Sequence, residues 1–148
     1  MMIIAVKWMA RWASLAFVFH LVWEFAHLPL YGLWSDDSRQ RIVAYVFHCT
    51  VGDVLIATSV FLGTATVLKR LDWPLQTPWL GGLLMVTAGL AYTVFSEWHN
   101  VYQLGAWSYA AAMPLVGGIG LSPLLQWLVV PSLTVMTMRW FSVRPIRV

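Results

Sequence analysis

The sequence predicts an all-α integral membrane protein, in which four helices cross the bilayer as one bundle. Of the 148 residues, 60% are hydrophobic and only 10% are charged. A soluble domain has about 25% charged residues, and a chain this short cannot bury so much apolar surface in one core. The single cysteine, Cys49, excludes an internal disulfide. A soluble enzyme, a disordered tail and a secreted disulfide-rich module are therefore excluded.

Four apolar segments supply the predicted helices. They cover residues 9–31, 43–67, 79–98 and 121–141. Each reaches the roughly 20 residues that a helix needs to cross the hydrocarbon layer. Polar loops at 32–41 and 68–78 separate the first three segments, and the second loop contains two prolines. Residues 1–148 are therefore predicted to form a single transmembrane domain.

Residues 101–120 are apolar enough for a fifth span, but they contain Pro114 and several glycines. The basic residues decide the number of spans. Four spans place seven of the nine on one side of the membrane, as the positive-inside rule requires. The seven are Lys7, Arg11, Lys69, Arg70, Arg139, Arg144 and Arg147, and the other two are Arg39 and Arg41. We therefore expect both termini in the cytoplasm and residues 101–120 at the outer face, as an interfacial segment.

Tryptophans mark both predicted membrane surfaces. Indoles at these two levels form the aromatic belts that are typical of membrane proteins. The inner level has Trp8, Trp12, Trp73, Trp79 and Trp140, and the outer level has Trp34, Trp98 and Trp107. We interpret these indoles as anchors rather than as part of a cofactor site.

The first span carries His20, Glu24 and His27. At about 100° per residue, these side chains fall within about 60° of one another on one helix face. Ionisable residues inside a membrane are functional candidates, because lipid makes buried polar groups costly. Two imidazoles and a carboxylate on one face are typical of a metal site, or of a base held by a partner.

The second and third spans add His48, Asp53 and Glu97. His48 and Asp53 lie about 140° apart on the helix, so they cannot both face the same neighbour. At a rise of about 1.5 Å per residue, all the candidates fall in the outer half of the membrane. This common depth predicts one site, which residues 101–120 either cap or flank as an interfacial loop.

The distribution of charge indicates the chemistry of this site. Glu24, Asp53 and Glu97 are half of the six acidic residues, yet every Lys and Arg lies at a membrane edge or in a loop. A buried carboxylate without a cation takes up a proton or finds a positive partner. We predict these three acids as catalytic residues. We predict His20, Glu24, His27 and His48 as ligands of a divalent metal, zinc or iron.

The predicted function is an intramembrane enzyme, metal-dependent or acid–base, that acts on a lipid-soluble substrate. In architecture and residue type, four helices with inward His and Glu resemble the EXPERA-type sterol isomerases and, more distantly, the intramembrane carotenoid cyclases. The resemblance implies an isoprenoid or sterol-like substrate and an isomerase, cyclase or hydratase reaction. It assigns no role to any single residue of this chain.

The alternative function is a non-catalytic subunit that binds a metal or haem b, for electron transfer or assembly. Haem b would use His20 or His27 together with His48 as axial ligands. The carboxylates nearby favour a harder metal over haem. Expected partners are membrane lipid and a lipid-soluble small molecule, with self-association or a larger membrane complex left open and no nucleic acid. The expected location is the cell membrane, with the site toward the periplasm of a bacterial inner membrane.

Overall fold

The computed structural model describes residues 2–36 and 38–143, so Arg144 and Arg147 lie outside the described residues. Four long helices dominate the described chain. They are α1 (Met2–His27), α2 (Arg39–Val67), α3 (Pro78–Glu97) and α4 (Leu121–Val143). Each is long and apolar enough to cross a membrane. This confirms the prediction of four helices that can span a bilayer, although α1 and α2 begin earlier than predicted.

Shorter elements extend or join these helices. A 3-10 turn, Leu28–Leu30, continues α1, and single helical turns cover Leu33–Asp36 and Trp73–Gln76. A π-helical segment, Trp98–Leu104, continues α3. The helix therefore continues six residues beyond the predicted end of the third span at residue 98, through the first part of the segment predicted to be interfacial.

The segment from residue 105 to residue 120, called the cap below, folds back over the bundle. Its end forms a hairpin of β1 (Leu115–Val116) and β2 (Ile119–Gly120), with Leu115 opposite Gly120 and Val116 opposite Ile119. Gly117 and Gly118 both have positive φ, which a two-residue turn between paired strands requires. Backbone hydrogen bonds from Gly32 to Ser108 and from Ala110 to Leu30 fix the cap to the loop after α1.

The four helices alternate in direction, and each packs against two neighbours. Extensive contacts join α1 to α2, α2 to α3, α3 to α4 and α4 to α1. Antiparallel packing of consecutive helices around one interior is typical of an up-down-up-down bundle. All four helices therefore surround one interior, and the cap lies at the end where α1 ends and α2 begins.

The half of the interior away from the cap is an aromatic core. Trp12, Phe61 and Trp73 are fully buried, with the Phe61 ring 4.4 Å from Trp12 and 5.3 Å from Trp73. The prediction that Trp12 and Trp73 are surface anchors was therefore wrong. Trp79 is 91% exposed, as an anchor would be. Dense apolar packing in this half holds the helices together and leaves the half near the cap for polar residues.

The aromatic core requires a glycine at position 81 of α3, because a Cβ there would collide with the ring of Trp73. We expect Gly81→Ala to lower the free energy of unfolding by about 1–3 kcal/mol, since overpacking forces the indole to move. Gly82→Ala is the matched control, because no atom lies within 4 Å of its added Cβ. Thermal unfolding in detergent measures both, and equal stability of the two variants would contradict this packing.

Candidate functional site

The side-chain amide of Gln126, on α4, joins three groups from two other helices. Its Nε2 lies 3.0 Å from Nδ1 of His20, 3.1 Å from Oε1 of Glu24 and 2.9 Å from Oδ2 of Asp53. Gln126 is only 3% exposed, so water cannot replace these bonds. An amide group has two protons, which are enough for the two carboxyl oxygens, and the role of His20 Nδ1 depends on its tautomer. Gln126 therefore bridges Glu24 and Asp53, with the His20 ring beside them.

Each of the two histidines of α1 lies beside a carboxylate. His20 Nδ1 is 3.4 Å from Asp53 Oδ2, and His27 Nε2 is 3.2 Å from Glu24 Oε2. The other ring nitrogen of His27, Nδ1, lies 3.1 Å from the hydroxyl of Ser122 on α4. A carboxylate on one side of an imidazole fixes the orientation of the ring. The site thus contains two His–carboxylate pairs, linked through Gln126.

The carboxyls of Glu24 and Asp53 are close neighbours, because Glu24 Oε1 and Asp53 Oδ2 both lie within 3.1 Å of the same Gln126 Nε2. Two ionised carboxylates repel each other in a buried site, so a neighbouring pair favours the state in which one of the two holds a proton. His20, which faces Asp53, packs its ring on Trp127 at 5.5 Å, and no described residue bonds its Nε2. The pair of carboxyls and the two imidazoles therefore form one connected set of proton-binding groups.

Glu97, at the end of α3, forms a second centre with the cap. Its Oε2 accepts a hydrogen bond of 2.6 Å from the hydroxyl of Tyr109. Burial is the larger cause of the raised pKa of Tyr109, and the hydrogen bond to Glu97 is the second. The phenol therefore stays protonated and acts as the hydrogen-bond donor. The ring of Tyr31 lies 5.8 Å from Tyr109 and 5.1 Å from His27. Aromatic contacts therefore connect Glu97 to the His27–Glu24 pair.

A cavity of about 450 Å³ opens onto both centres. Its polar lining includes Glu24, His27, Asp53, Glu97 and Gln126, together with Tyr31, Tyr45, His48, Cys49, Tyr92, Thr93, Ser96 and Asn100. Apolar and aromatic residues such as Leu28, Val46, Ile56, Trp107 and Trp127 complete the wall. A concave, mostly apolar pocket of this size with a few convergent polar groups is typical of a small-molecule site.

The structure brings together most of the residues that the sequence predicts for the site. His20, Glu24, His27 and Asp53 meet around Gln126, and Glu97 lies on another part of the same cavity wall. His48 does not join them. It is exposed at the edge of the cavity, because it lies on a different face of α2 from Asp53.

Three site residues were not predicted, because the sequence search selected charged side chains. They are Gln126, Ser122 and Tyr109. Gln126 and Ser122 are four residues apart and share one face of α4. A polar pair at that spacing, in the half of α4 nearest the cap, is a signal that identifies this face of α4. No comparable periodic signal marks Tyr109, which lies in irregular chain.

Three of the four predicted metal ligands contact protein groups: Glu24 and His27 pair with each other, His20 lies beside Asp53 and Gln126, and His48 lies apart at the edge of the cavity. Among residues 2–36 and 38–143, no group of three His, Cys, Asp or Glu side chains is placed to hold a metal ion. Zinc sites use three or four protein ligands around one point, and here the carboxylates of Glu24 and Asp53 contact protein donors instead. The described residues therefore show no metal centre. The metal and haem b assignments stay predictions.

The chain matches no protein-family model, no curated protein and no solved structure. The architectural resemblance to sterol isomerases is therefore supported by no sequence or fold match, and the function has to be inferred from the chemistry of the site.

The bridging role of Gln126 predicts a large loss of stability in Gln126→Leu. The variant leaves Glu24, Asp53 and His20 without their shared donor, and we expect about 2–5 kcal/mol less free energy of unfolding. Thr134→Val is the matched control, because Thr134 is also buried on α4 but bonds only the Val130 carbonyl of its own helix. Thermal unfolding in detergent compares the two. Equal losses in both variants would contradict the bridge.

Proposed function

We propose that this protein is an intramembrane acid–base enzyme that moves a proton on a neutral, lipid-soluble substrate. The observation that carries the proposal is that the Gln126 Nε2 lies within 3.1 Å of both Glu24 and Asp53, at the wall of a cavity of about 450 Å³. Two neighbouring carboxyls that share one proton supply a general acid and a general base in a single site.

Glu24 is the proposed principal acid–base group, since one oxygen is held by Gln126 and the other by His27. Asp53 is the second carboxyl, and it is held by Gln126 and His20. In the proposed reaction the protonated carboxyl gives its proton to one atom of the substrate, and the ionised carboxyl removes a proton from another. The substrate is isomerised, and the site again holds one proton. No co-reactant is consumed.

The His20 and His27 rings are proposed as positioning residues. His27 is held between Glu24 and Ser122, so its ring cannot turn away from the carboxylate. His20 is 1% exposed and lies between Gln126, Asp53 and the Trp127 ring. An imidazole N–H that donates to a carboxylate stabilises the ionised form of that carboxylate. One carboxyl of the Glu24–Asp53 pair can therefore stay ionised while the other holds the shared proton.

The charges around the cavity favour an uncharged substrate. Glu24, Asp53 and Glu97 line it, and no Lys or Arg is among the described lining residues. An anionic headgroup or a fatty-acid carboxylate would face these three acids without a countercharge. The aromatic and aliphatic wall suits a hydrocarbon skeleton, and we propose a substrate of the isoprenoid or sterol-like class.

We also propose that the chain lies in a cell membrane with its termini on the cytoplasmic side, so that the site and the cap face outward. The described residues support this orientation. Lys7, Arg11, Lys69, Arg70 and Arg139 belong to the end of the bundle opposite the cap, and Arg139 binds the Pro74 carbonyl there at 3.0 Å. A basic end of this kind is typical of the cytoplasmic surface.

The proposed proton transfer predicts isotope exchange. Purified protein in liposomes made in heavy water, supplied with a panel of unsaturated sterols and isoprenoids, should place deuterium in one of them. Mass spectrometry detects the label. We expect Glu24→Gln to lower the rate by a factor of about 10²–10⁴, as is usual when a general acid or base is lost. Asp72→Asn is the control, because Asp72 lies in a distant loop and pairs with Arg70. Equal labelling by Glu24→Gln and the wild type would contradict the proposal.

Elemental analysis and an absorption spectrum distinguish the alternative function. The acid–base site predicts no stoichiometric zinc or iron in protein purified without chelator, and unchanged exchange activity after chelation. Stoichiometric metal that is lost in His20→Ala would instead indicate a metal site. A Soret band would indicate a haem b subunit of a membrane complex.

A further inference from the structure

The exposure of the cavity wall is uneven among the helices. Its residues on α1 and α4 are buried, as for Glu24 and Gln126. Its residues on α2 and α3 include side chains at the molecular surface, namely His48 and Tyr92, and Tyr92 is 44% exposed. The closed floor of the cavity is therefore formed by α1 and α4, and among the four long helices it is α2 and α3 that bring the cavity wall to the molecular surface.

Small residues border the cavity along this line. Gly52 and Cys49 on α2, and Ser96 on α3, are partly exposed residues of the cavity wall. A Cβ at Gly52 would have no atom within 4 Å, so there is open space in front of it. Gly52 lies near the middle of α2, which is one of the helices long and apolar enough to cross a membrane. In a bilayer this gap would face hydrocarbon rather than water.

The cap end offers a second route, but contacts close much of it. The Trp107 ring lies 6.4 Å from the Tyr45 ring, Tyr109 binds Glu97, and Tyr102 donates a 2.6 Å hydrogen bond to the Gly118 carbonyl. Ala106 is the cap residue that is exposed and also lines the cavity, so it marks this route. These ring and hydrogen-bond contacts narrow the route at the cap, whereas the space beside Gly52 is open.

We propose that the ligand reaches the cavity sideways from the lipid layer, through a portal between α2 and α3 bordered by His48, Cys49, Gly52, Tyr92 and Ser96. The ligand is a neutral molecule dissolved in the hydrocarbon layer, with a polar group small enough to pass Gly52. His48 offers this polar group a hydrogen-bonding partner at the edge of the portal, while Glu24 and Asp53 lie inside. The identity of the ligand as a substrate rests on the proposed function, whereas the position of the portal does not.

A hydrocarbon-soluble carbodiimide tests the route directly, with dicyclohexylcarbodiimide as the probe. The reagent adds to a carboxylic acid and rearranges to a stable N-acylurea, which peptide mass spectrometry locates. In liposomes we expect it to modify Glu24 or Asp53, and to do so faster than a water-soluble carbodiimide. We expect Gly52→Trp to slow this modification on the order of tenfold or more, since the indole fills the space in front of Gly52.

Two further variants make the test specific. Gly63→Trp is the matched control, because Gly63 also lies on α2 with no atom within 4 Å of an added Cβ, but it is not in the cavity wall. Ala106→Trp narrows the cap route instead. The portal predicts wild-type modification rates in both variants, and thermal unfolding confirms that each is folded.

The proposal is overturned if Gly52→Trp reacts at the wild-type rate, if Ala106→Trp is the slow variant, if the water-soluble reagent reacts faster, or if neither carboxyl is modified. These outcomes are independent of turnover. A slow Gly52→Trp without isotope exchange in the wild type would support the portal and contradict the proposed function. Isotope exchange in the wild type, together with a wild-type modification rate in Gly52→Trp, would support the proposed function and contradict the portal.

Discussion

The structure depends on one electrostatic constraint, which is that buried carboxyl groups in an apolar bundle need partners. Glu24, Asp53 and Glu97 lie inside, and no Lys or Arg is among the described residues that line their cavity. In surroundings of low dielectric, an unpaired charge costs several kcal/mol or takes up a proton. Neutral donors and imidazoles are these partners. The Gln126 amide donates to Glu24 and Asp53, and the Tyr109 hydroxyl donates to Glu97. Each partner comes from a different element, so the satisfied carboxyls also fix α4 and the cap in place.

The two ends of the bundle differ in role: one is a rigid aromatic core, and the other holds the polar site and the cavity. Away from the cap, Trp12, Phe61 and Trp73 pack without room for an added methyl group at Gly81, which makes this end rigid. Near the cap, polar bonds and a cavity replace dense packing. Rigid packing at one end holds the helix positions that the polar end needs, because proton transfer requires donors and acceptors within hydrogen-bond distance.

Much of the fold and part of the site follow from local rules that act along one chain segment. Apolar length predicts the four helices, and helical periodicity predicts that His20, Glu24 and His27 share a face. Contacts between segments do not follow from these rules. The burial of Trp12 and Trp73 depends on Phe61 and Gly81, and the partner of Glu97 comes from irregular chain. For α2, helical geometry showed that His48 and Asp53 diverge, but the packing of α4 decided that Asp53 is the one that faces inward.

The central claim is that Glu24 and Asp53 share one proton beneath the Gln126 amide. Infrared spectroscopy of the protein in liposomes at neutral pH measures this directly, through the carbonyl stretch of a protonated carboxylic acid. The account predicts such a band in the wild type, with its frequency shifted in Gln126→Leu. It predicts that Asp53→Asn and Glu24→Gln each remove the band and that Glu97→Gln leaves it in place. A wild-type spectrum without a protonated carboxyl, or a band that persists in both Asp53→Asn and Glu24→Gln, would contradict the claim.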